Sequence, residues 1–105
     1  MKHRKSGTTL KYAYILAEEQ GGWFCIYCGC ELSPNRPGGN RKRGYAEVDH
    51  LVPISKGGTD DLSNLALACV TCNTQKKAMT AHDFVLWRRD WLARKEILKR
   101  IFNEY

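Results

Sequence analysis

The chain has 105 residues, 43% of them hydrophobic and 27% charged, a composition that excludes wholesale disorder and fits one small globular domain. No apolar run approaches the roughly 20 residues of a membrane-spanning helix, and no apolar signal-peptide core follows the basic N-terminus. We therefore expect a cytoplasmic protein without a membrane partner. Its 17 Lys and Arg against 11 Asp and Glu give a net charge of +6, which favours nucleic acid as the partner.

The N-terminal part predicts a tail followed by a helix. Residues 1–8 should form a flexible basic tail, and residues 9–105 a single domain. Thr9 is the expected cap of a helix over 10–20, which Gly21 would end because glycine accepts the left-handed conformation. The helix face expected to be buried consists of Leu10, Tyr14 and Ala17.

The middle of the chain alternates short strands with loops. Residues 23–29 predict a strand that turns into a metal-binding knuckle, and residues 33–44 a basic loop rich in Pro and Gly. The period-two pattern of residues 45–51 predicts a strand, with Tyr45, Glu47 and Asp49 on one side. A turn-rich loop and a second strand over 65–68 follow.

Two helices are predicted at the C-terminal end, over 70–77 and 81–102, the second of them capped by Thr80. Five residues of the last helix recur at helical spacing and are expected to face the core: Phe84, Trp87, Trp91, Leu98 and Ile101. Trp23 and the two tryptophans of this helix are expected to pack in the core rather than to stack on bases. The order of elements indicates an α+β fold.

Four of the five cysteines form two C-x-x-C pairs, Cys25/Cys28 and Cys69/Cys72. In a chain without an export signal such pairs are typical of zinc ligands rather than disulfides. Four thiolates complete a tetrahedral Zn²⁺ site and leave no open position, so this zinc is expected to be structural. Cys30 is left over and is interpreted as a bystander.

A second set of polar residues lies between and beside the cysteine pairs: Asp49, His50, Asn64 and Asn73. Carboxylate and amide oxygens suit Mg²⁺ or Mn²⁺, and an imidazole accepts a proton from water near neutral pH. Taken one by one, each residue also has a structural interpretation: a turn for Asn64, a helix cap for Asn73, a satisfied core histidine for His50.

Three runs of sequence resemble the HNH endonucleases. These runs are E-V-D-H-L-V-P-I at 47–54, G-G-T-D-D-L-S-N-L at 57–65 and C-V-T-C-N-T-Q-K at 69–76. The resemblance covers about residues 23–77, which we take as the core of the domain. It implies a ββα-metal unit with a four-cysteine structural zinc site and flanking helices, and metal-dependent hydrolysis of DNA that leaves 5′-phosphate and 3′-hydroxyl ends.

The resemblance also implies a role for each residue of the motif, in what would be its H-N-N version. His50 corresponds to the general base, and Asp49 and Asn73 to the ligands of one catalytic Mg²⁺ or Mn²⁺. Asn64 corresponds to the residue that organises the loop and helps to fix the base.

Basic residues predict how the chain meets duplex DNA, through backbone contacts that carry no sequence information. The residues assigned to phosphate contacts are Arg36, Arg41, Lys42, Arg43, Lys76 and Lys77, with further cations on the last helix. Each group taken alone fits a solvated surface equally well. His3 and His82 are interpreted as surface residues. A monomer or weak homodimer with one active site per chain would nick one strand.

Two other functions remain open at this point. The chain could be a non-catalytic zinc-ribbon module that only binds DNA, in which case Asp49, His50 and Asn73 are incidental. It could instead be a thiol redox protein that uses one C-x-x-C pair. Nicking that depends on a divalent metal would exclude the DNA-binding module. Stoichiometric zinc on all four thiolates would exclude the redox protein.

Overall fold

The computed structural model of the protein describes the backbone of residues 6–34 and 44–103 and the side chains of residues 11–34 and 44–102. The fold is α+β, as predicted, with one sheet of two strands among these residues. The helices and strands are α1 (Ser6–Gln20), β1 (Glu47–His50), β2 (Leu65–Ala68), α2 (Val70–Lys76) and α3 (Ala81–Asn103). None of the helices in this part of the chain combines the length and apolar composition that a membrane span requires.

The sheet is an antiparallel pair in which Glu47 lies opposite Ala68 and His50 lies opposite Leu65. All four residues of β2 are buried, so its apolar run forms the centre of the core. The predicted strand 45–51 is shorter in the structure. Tyr45 forms an isolated bridge with Ser33 instead of extending β1, and Leu51 begins the loop that leads to the second strand.

Helix α1 begins at Ser6, four residues before the start expected at Leu10. Residues 6–8, predicted to belong to the flexible tail, are thus helical, and the rest of that tail lies outside the described residues. Ser and Thr cost a helix a few tenths of a kcal/mol each and Gly7 about 1 kcal/mol, and α1 extends back through all of them. The face predicted to be buried is also partly wrong. Ala17 is buried, but its companions in the core are Ala13 and Leu16, whereas Tyr14 is 52% exposed. Tyr14 lies at the rim, where its ring packs edge-to-face on Trp23 at 5.0 Å.

Cys69 alone separates β2 from α2, and residues 77–80 separate α2 from α3. Lys77 ends α2 with a positive φ of 52°. Helix α3 starts where its cap was predicted, since the Thr80 hydroxyl accepts a hydrogen bond from the backbone N–H of Asp83. Of the five α3 residues expected in the core, only Phe84 is buried.

The expectation that α3 packs on the core along its length is wrong. Trp87 and Trp91 are 39% and 42% exposed, and each described residue after Arg88 is exposed. The two indoles stack on each other at 6.4 Å and continue a row of rings that starts at Phe84. The period of a helix shows that one face is apolar, but it does not show whether the same chain covers that face.

Candidate functional site

The first group of functional side chains is the set of four cysteines. Cys25 and Cys28 lie in the turn after α1, and Cys69 and Cys72 lie at the start of α2. Their four sulfur atoms are within 4.8 Å of one another, and the Sγ atoms of Cys28 and Cys69 are 3.9 Å apart. Zn–S bonds of about 2.3 Å in a tetrahedron place sulfurs about 3.8 Å apart. The four thiols therefore fit one zinc ion.

Backbone amides of the two turns point at the sulfurs. The N–H of Tyr27 donates to Sγ of Cys25 at 3.4 Å, and the N–H of Cys72 donates to Sγ of Cys69 at 3.3 Å. Hydrogen bonds of this kind stabilise the charged thiolate relative to the neutral thiol. The first cysteine of each pair thus receives a hydrogen bond from the turn that the pair forms.

The thiols of the metal-free cluster differ in acidity. Burial raises the pKa of Cys25 above its usual value, and it also raises the pKa of Cys72. Partial burial acts in the same direction on Cys28, but hydrogen bonds from the backbone and thiol of Cys30 outweigh it and lower the pKa to about 7. Cys30 thus lies beside the cluster without belonging to the set of four.

A side chain from α3 also reaches the cluster, and no sequence motif indicated it. Nη1 of Arg88 donates to Sγ of Cys72 at 2.9 Å. A guanidinium against a thiolate is a charge-assisted hydrogen bond, which is stronger than a neutral one. Arg88 therefore links α3 to the proposed zinc centre.

The second group lies at the end of β1, where Asp49 is buried and His50 is partly exposed. The hydroxyl of Tyr27 donates to Oδ2 of Asp49 at 2.6 Å. Burial, together with this hydrogen bond, raises the pKa of Tyr27 far above its usual value, so the hydroxyl keeps its proton and remains a donor. Because Tyr27 belongs to the first cysteine turn, that turn also orients the carboxylate of Asp49.

Lys76 lies against the same carboxylate. Its side chain is 1% exposed, and Nζ is 3.4 Å from Oδ1 of Asp49 and donates to the backbone oxygen of His50 at 2.9 Å. The predicted phosphate contact does not fit this ammonium, because it is buried and is already paired with the carboxylate of Asp49 and the backbone oxygen of His50. Helical spacing alone placed Lys76 beside Asn73, and it could not show that α2 packs this side against β1.

The imidazole of His50 contacts an acidic residue that the sequence analysis did not single out. Nε2 of His50 is 2.7 Å from Oδ1 of Asp60, which lies in the loop between the two strands. A carboxylate oxygen at this distance accepts a hydrogen bond from the ring nitrogen and so orients the imidazole. The G-G-T-D-D run marked the loop, but nothing in the sequence indicated which of its two aspartates faces the histidine.

Asn64 holds that loop together through its amide. Oδ1 accepts from the backbone N–H of Val52 at 2.9 Å, and Nδ2 donates to the backbone oxygens of Val52 and Thr59 at 3.0 and 2.8 Å. Gly58 lies so close to Val52 that a Cβ built on the glycine would be 1.7 Å from the Val52 oxygen. These contacts fix the path of the loop that carries Asp60.

The structure does not pair Asn73 with Asp49. Nδ2 of Asn73 donates to Oε1 of Glu47 at 2.8 Å. Glu47 and Asp49 lie on the same side of β1, since they are two residues apart in a strand. The predicted alternation had already placed Glu47 beside Asp49, which is the signal that could have found it as a site residue.

An open cleft of about 310 Å³ gives access to part of this group. Asp49, His50 and Lys76 line it, together with the segment 53–55, Lys77 and Ala78. The four proposed DNA contacts from Arg36 to Arg43 lie outside the described residues. His82 is exposed, as expected, and pairs with Asp83 at 3.6 Å.

One comparison with known proteins bears on this arrangement. The family model described as HNH endonuclease matches residues 25–79, about half of the chain. The matched range includes all four cysteines, the two strands, the loop between them and α2.

Proposed function

Because the chain belongs to the HNH endonuclease family, we propose that it hydrolyses phosphodiester bonds of duplex DNA with His50 as the general base. The observation that carries the proposal is the adjacency of Asp49 and His50 at the end of β1, where both line one open cleft. The cleft therefore brings together an oxygen ligand for a metal, Asp49, and a base that is accessible to solvent, His50. A module that only binds DNA needs neither group.

Asp49 and Asn73 are the residues that would hold a divalent ion, and the chemistry of the donor set fits Mg²⁺ or Mn²⁺. Carboxylate and amide oxygens are the ligands these hard ions prefer. Each oxygen of Asp49 has two lone pairs, so the contact with Tyr27 leaves capacity for a further ligand. Glu47 supplies another carboxylate next to Asn73. When bound, the ion supplies Lewis acidity at the scissile phosphate.

His50 then removes a proton from the attacking water. Its side chain is 20% exposed, so water and substrate reach the ring from the cleft. As the imidazole takes up the proton it becomes positively charged, and the carboxylate of Asp60 at 2.7 Å stabilises that charge. Asn64 acts indirectly. Its side-chain amide makes three hydrogen bonds to the backbone, and these hold the loop from which Asp60 reaches the ring.

Binding to DNA is assigned to exposed cations that make phosphate contacts. Lys77 is exposed and lines the cleft together with Asp49 and His50. Arg36, Arg41, Lys42 and Arg43 remain assigned to backbone contacts. Lys76 is withdrawn from this set because of its burial. One such site per chain hydrolyses one strand in each engagement, so the expected product is a nick.

Supercoiled plasmid tests this proposal. The protein is purified with zinc and incubated with plasmid and Mg²⁺ or Mn²⁺, and EDTA is added in a parallel reaction. We expect open-circular DNA that DNA ligase reseals, because ligase requires a 3′-hydroxyl beside a 5′-phosphate. Plasmid that is bound in a mobility-shift assay but never nicked with any divalent ion would identify a non-catalytic zinc-ribbon module.

A further inference from the structure

Lys76 is one of the largest fully buried side chains in the described part of the protein. A lysine is almost never fully buried unless its ammonium is paired, because removing the charge from water is strongly unfavourable. Here the pair is the carboxylate of Asp49, which is itself only 6% exposed. Two opposite charges are thus withdrawn from water together, at the position where the proposed function requires a metal ion.

The two contacts of the ammonium differ in strength. The 3.4 Å separation from Oδ1 of Asp49 is at the long end for a hydrogen bond, whereas the 2.9 Å contact with the backbone oxygen of His50 is near the usual distance. Lys76 can therefore release Asp49 and remain hydrogen-bonded to His50. The cleft lined by Asp49 and Lys76 allows an ion to enter from solvent without opening the core.

We propose that Lys76 is an internal counter-ion of Asp49 that competes with the catalytic divalent cation and thereby sets the affinity of the site for metal. The inference rests on the proposed function, in which Asp49 is a metal ligand. An ion that binds Asp49 meets a positive charge on the same carboxylate, and the repulsion between the two charges weakens binding. Lys76 is in this sense a positioning residue that acts on the metal through Asp49.

Mn²⁺ binding measured without DNA tests the inference. The zinc-loaded wild type, Lys76→Met, Lys76→Arg and Lys11→Met are titrated with Mn²⁺, and the free ion is followed by its electron paramagnetic resonance signal. Methionine keeps most of the apolar stem and removes the charge, so Lys76→Met should bind Mn²⁺ about tenfold more tightly. Lys76→Arg should retain weak binding, and Lys11→Met, which removes an exposed lysine of α1, should match the wild type.

Each outcome of the titration either supports or overturns the role of Lys76 as a counter-ion. Equal or weaker Mn²⁺ binding by Lys76→Met overturns the counter-ion while leaving the nuclease proposal intact if the wild type still nicks plasmid. Tight binding by Lys76→Met together with undetectable binding by the wild type supports the inference in its strongest form. Failure of all four proteins to bind Mn²⁺ overturns both this inference and the assignment of Asp49 as a ligand.

The wild type provides a second measurement that does not depend on a folded variant. A buried ammonium exchanges its protons slowly, so the Lys76 Nζ group should give a resolved ¹H–¹⁵N signal, identified by its loss in Lys76→Arg. Adding Mg²⁺ should shift this signal as the contact with Asp49 is exchanged for the ion. A signal that stays in place while Mg²⁺ saturates the site would overturn the inference.

Discussion

Nη1 of Arg88 on α3 donates to Sγ of Cys72 at 2.9 Å, so the long C-terminal helix is joined by one hydrogen bond to the cysteine cluster. Groups that hydrogen-bond to metal ligands orient them and raise metal affinity, and their loss typically weakens binding by about 10- to 100-fold. We expect the zinc of Arg88→Ala to pass to a chelator about tenfold faster than that of the wild type.

The matched control for Arg88 is the next residue. The side chain of Arg89 is 71% exposed and contacts Asp90 at 3.5 Å, so Arg89→Ala should release zinc at the wild-type rate. Zinc transfer is followed with a chromogenic chelator. Equal rates for the two variants and the wild type would show that the Arg88 contact does not support the zinc centre.

Zinc affinity should rise steeply with pH. Burial raises the pKa of Cys25 and of Cys72, so both hold their protons at neutral pH in the metal-free protein, whereas the ion requires thiolates. Binding therefore releases at least these two protons, and affinity should increase by at least about a hundredfold per pH unit between about pH 6 and pH 8. Competition with a chelator at several pH values measures this, and an affinity that does not change with pH would contradict it.

Asp60 and Asp61 are neighbours of the same charge, but only Asp60 contacts the imidazole of His50. Asp61 accepts from the Thr59 hydroxyl at 3.0 Å instead. In Asp60→Asn the carboxylate charge is lost while a neutral oxygen can still accept from Nε2, so turnover should fall about tenfold at an unchanged KM. Asp61→Asn should retain wild-type turnover. Equal effects of both substitutions would indicate that Asp60 contributes only to the fold of the loop.

The loop geometry predicts different effects for two adjacent glycines. A Cβ on Gly58 would lie 1.7 Å from the oxygen of Val52, and only a shift of the backbone can relieve this clash. Gly57 has open space around it but a φ of +89°. Gly58→Ala should lower the free energy of unfolding by about 3 kcal/mol and Gly57→Ala by about 1 kcal/mol. Denaturant titration measures both, and a Gly58→Ala protein as stable as the wild type would contradict the close approach.

Many residues of the candidate site were predictable from the sequence because they lie within a few positions of one another along the chain. The two C-x-x-C pairs each form one turn, and the D-H pair needs only a strand end, so local sequence was sufficient to identify Cys25, Cys28, Asp49 and His50 as candidates. The four cysteines that this spacing singled out do lie together, and their sulfurs could hold one zinc ion.

The side-chain contacts that the sequence did not reveal depend on how separate helices, strands and loops pack against one another. The burial of Lys76 and the pairing of Asn73 with Glu47 are set by the angle at which α2 lies on β1, and no local pattern encodes that angle. The contact from Asp60 to His50 depends on the path of a loop fixed by backbone hydrogen bonds. The exposure of Trp91 shows the same limit, because helical periodicity predicts an apolar face but not its neighbour.

The most direct test of the central claim is the rate of the first nick in supercoiled plasmid at saturating protein, compared between the wild type, His50→Ala and His82→Ala. His50→Ala should keep its zinc and bind DNA as the wild type does but nick about 10²- to 10⁴-fold more slowly, because loss of a general base has an effect of this size. His82→Ala alters an exposed histidine of α3 and should nick normally. A His50→Ala protein that nicks at the rate of the wild type would contradict the account.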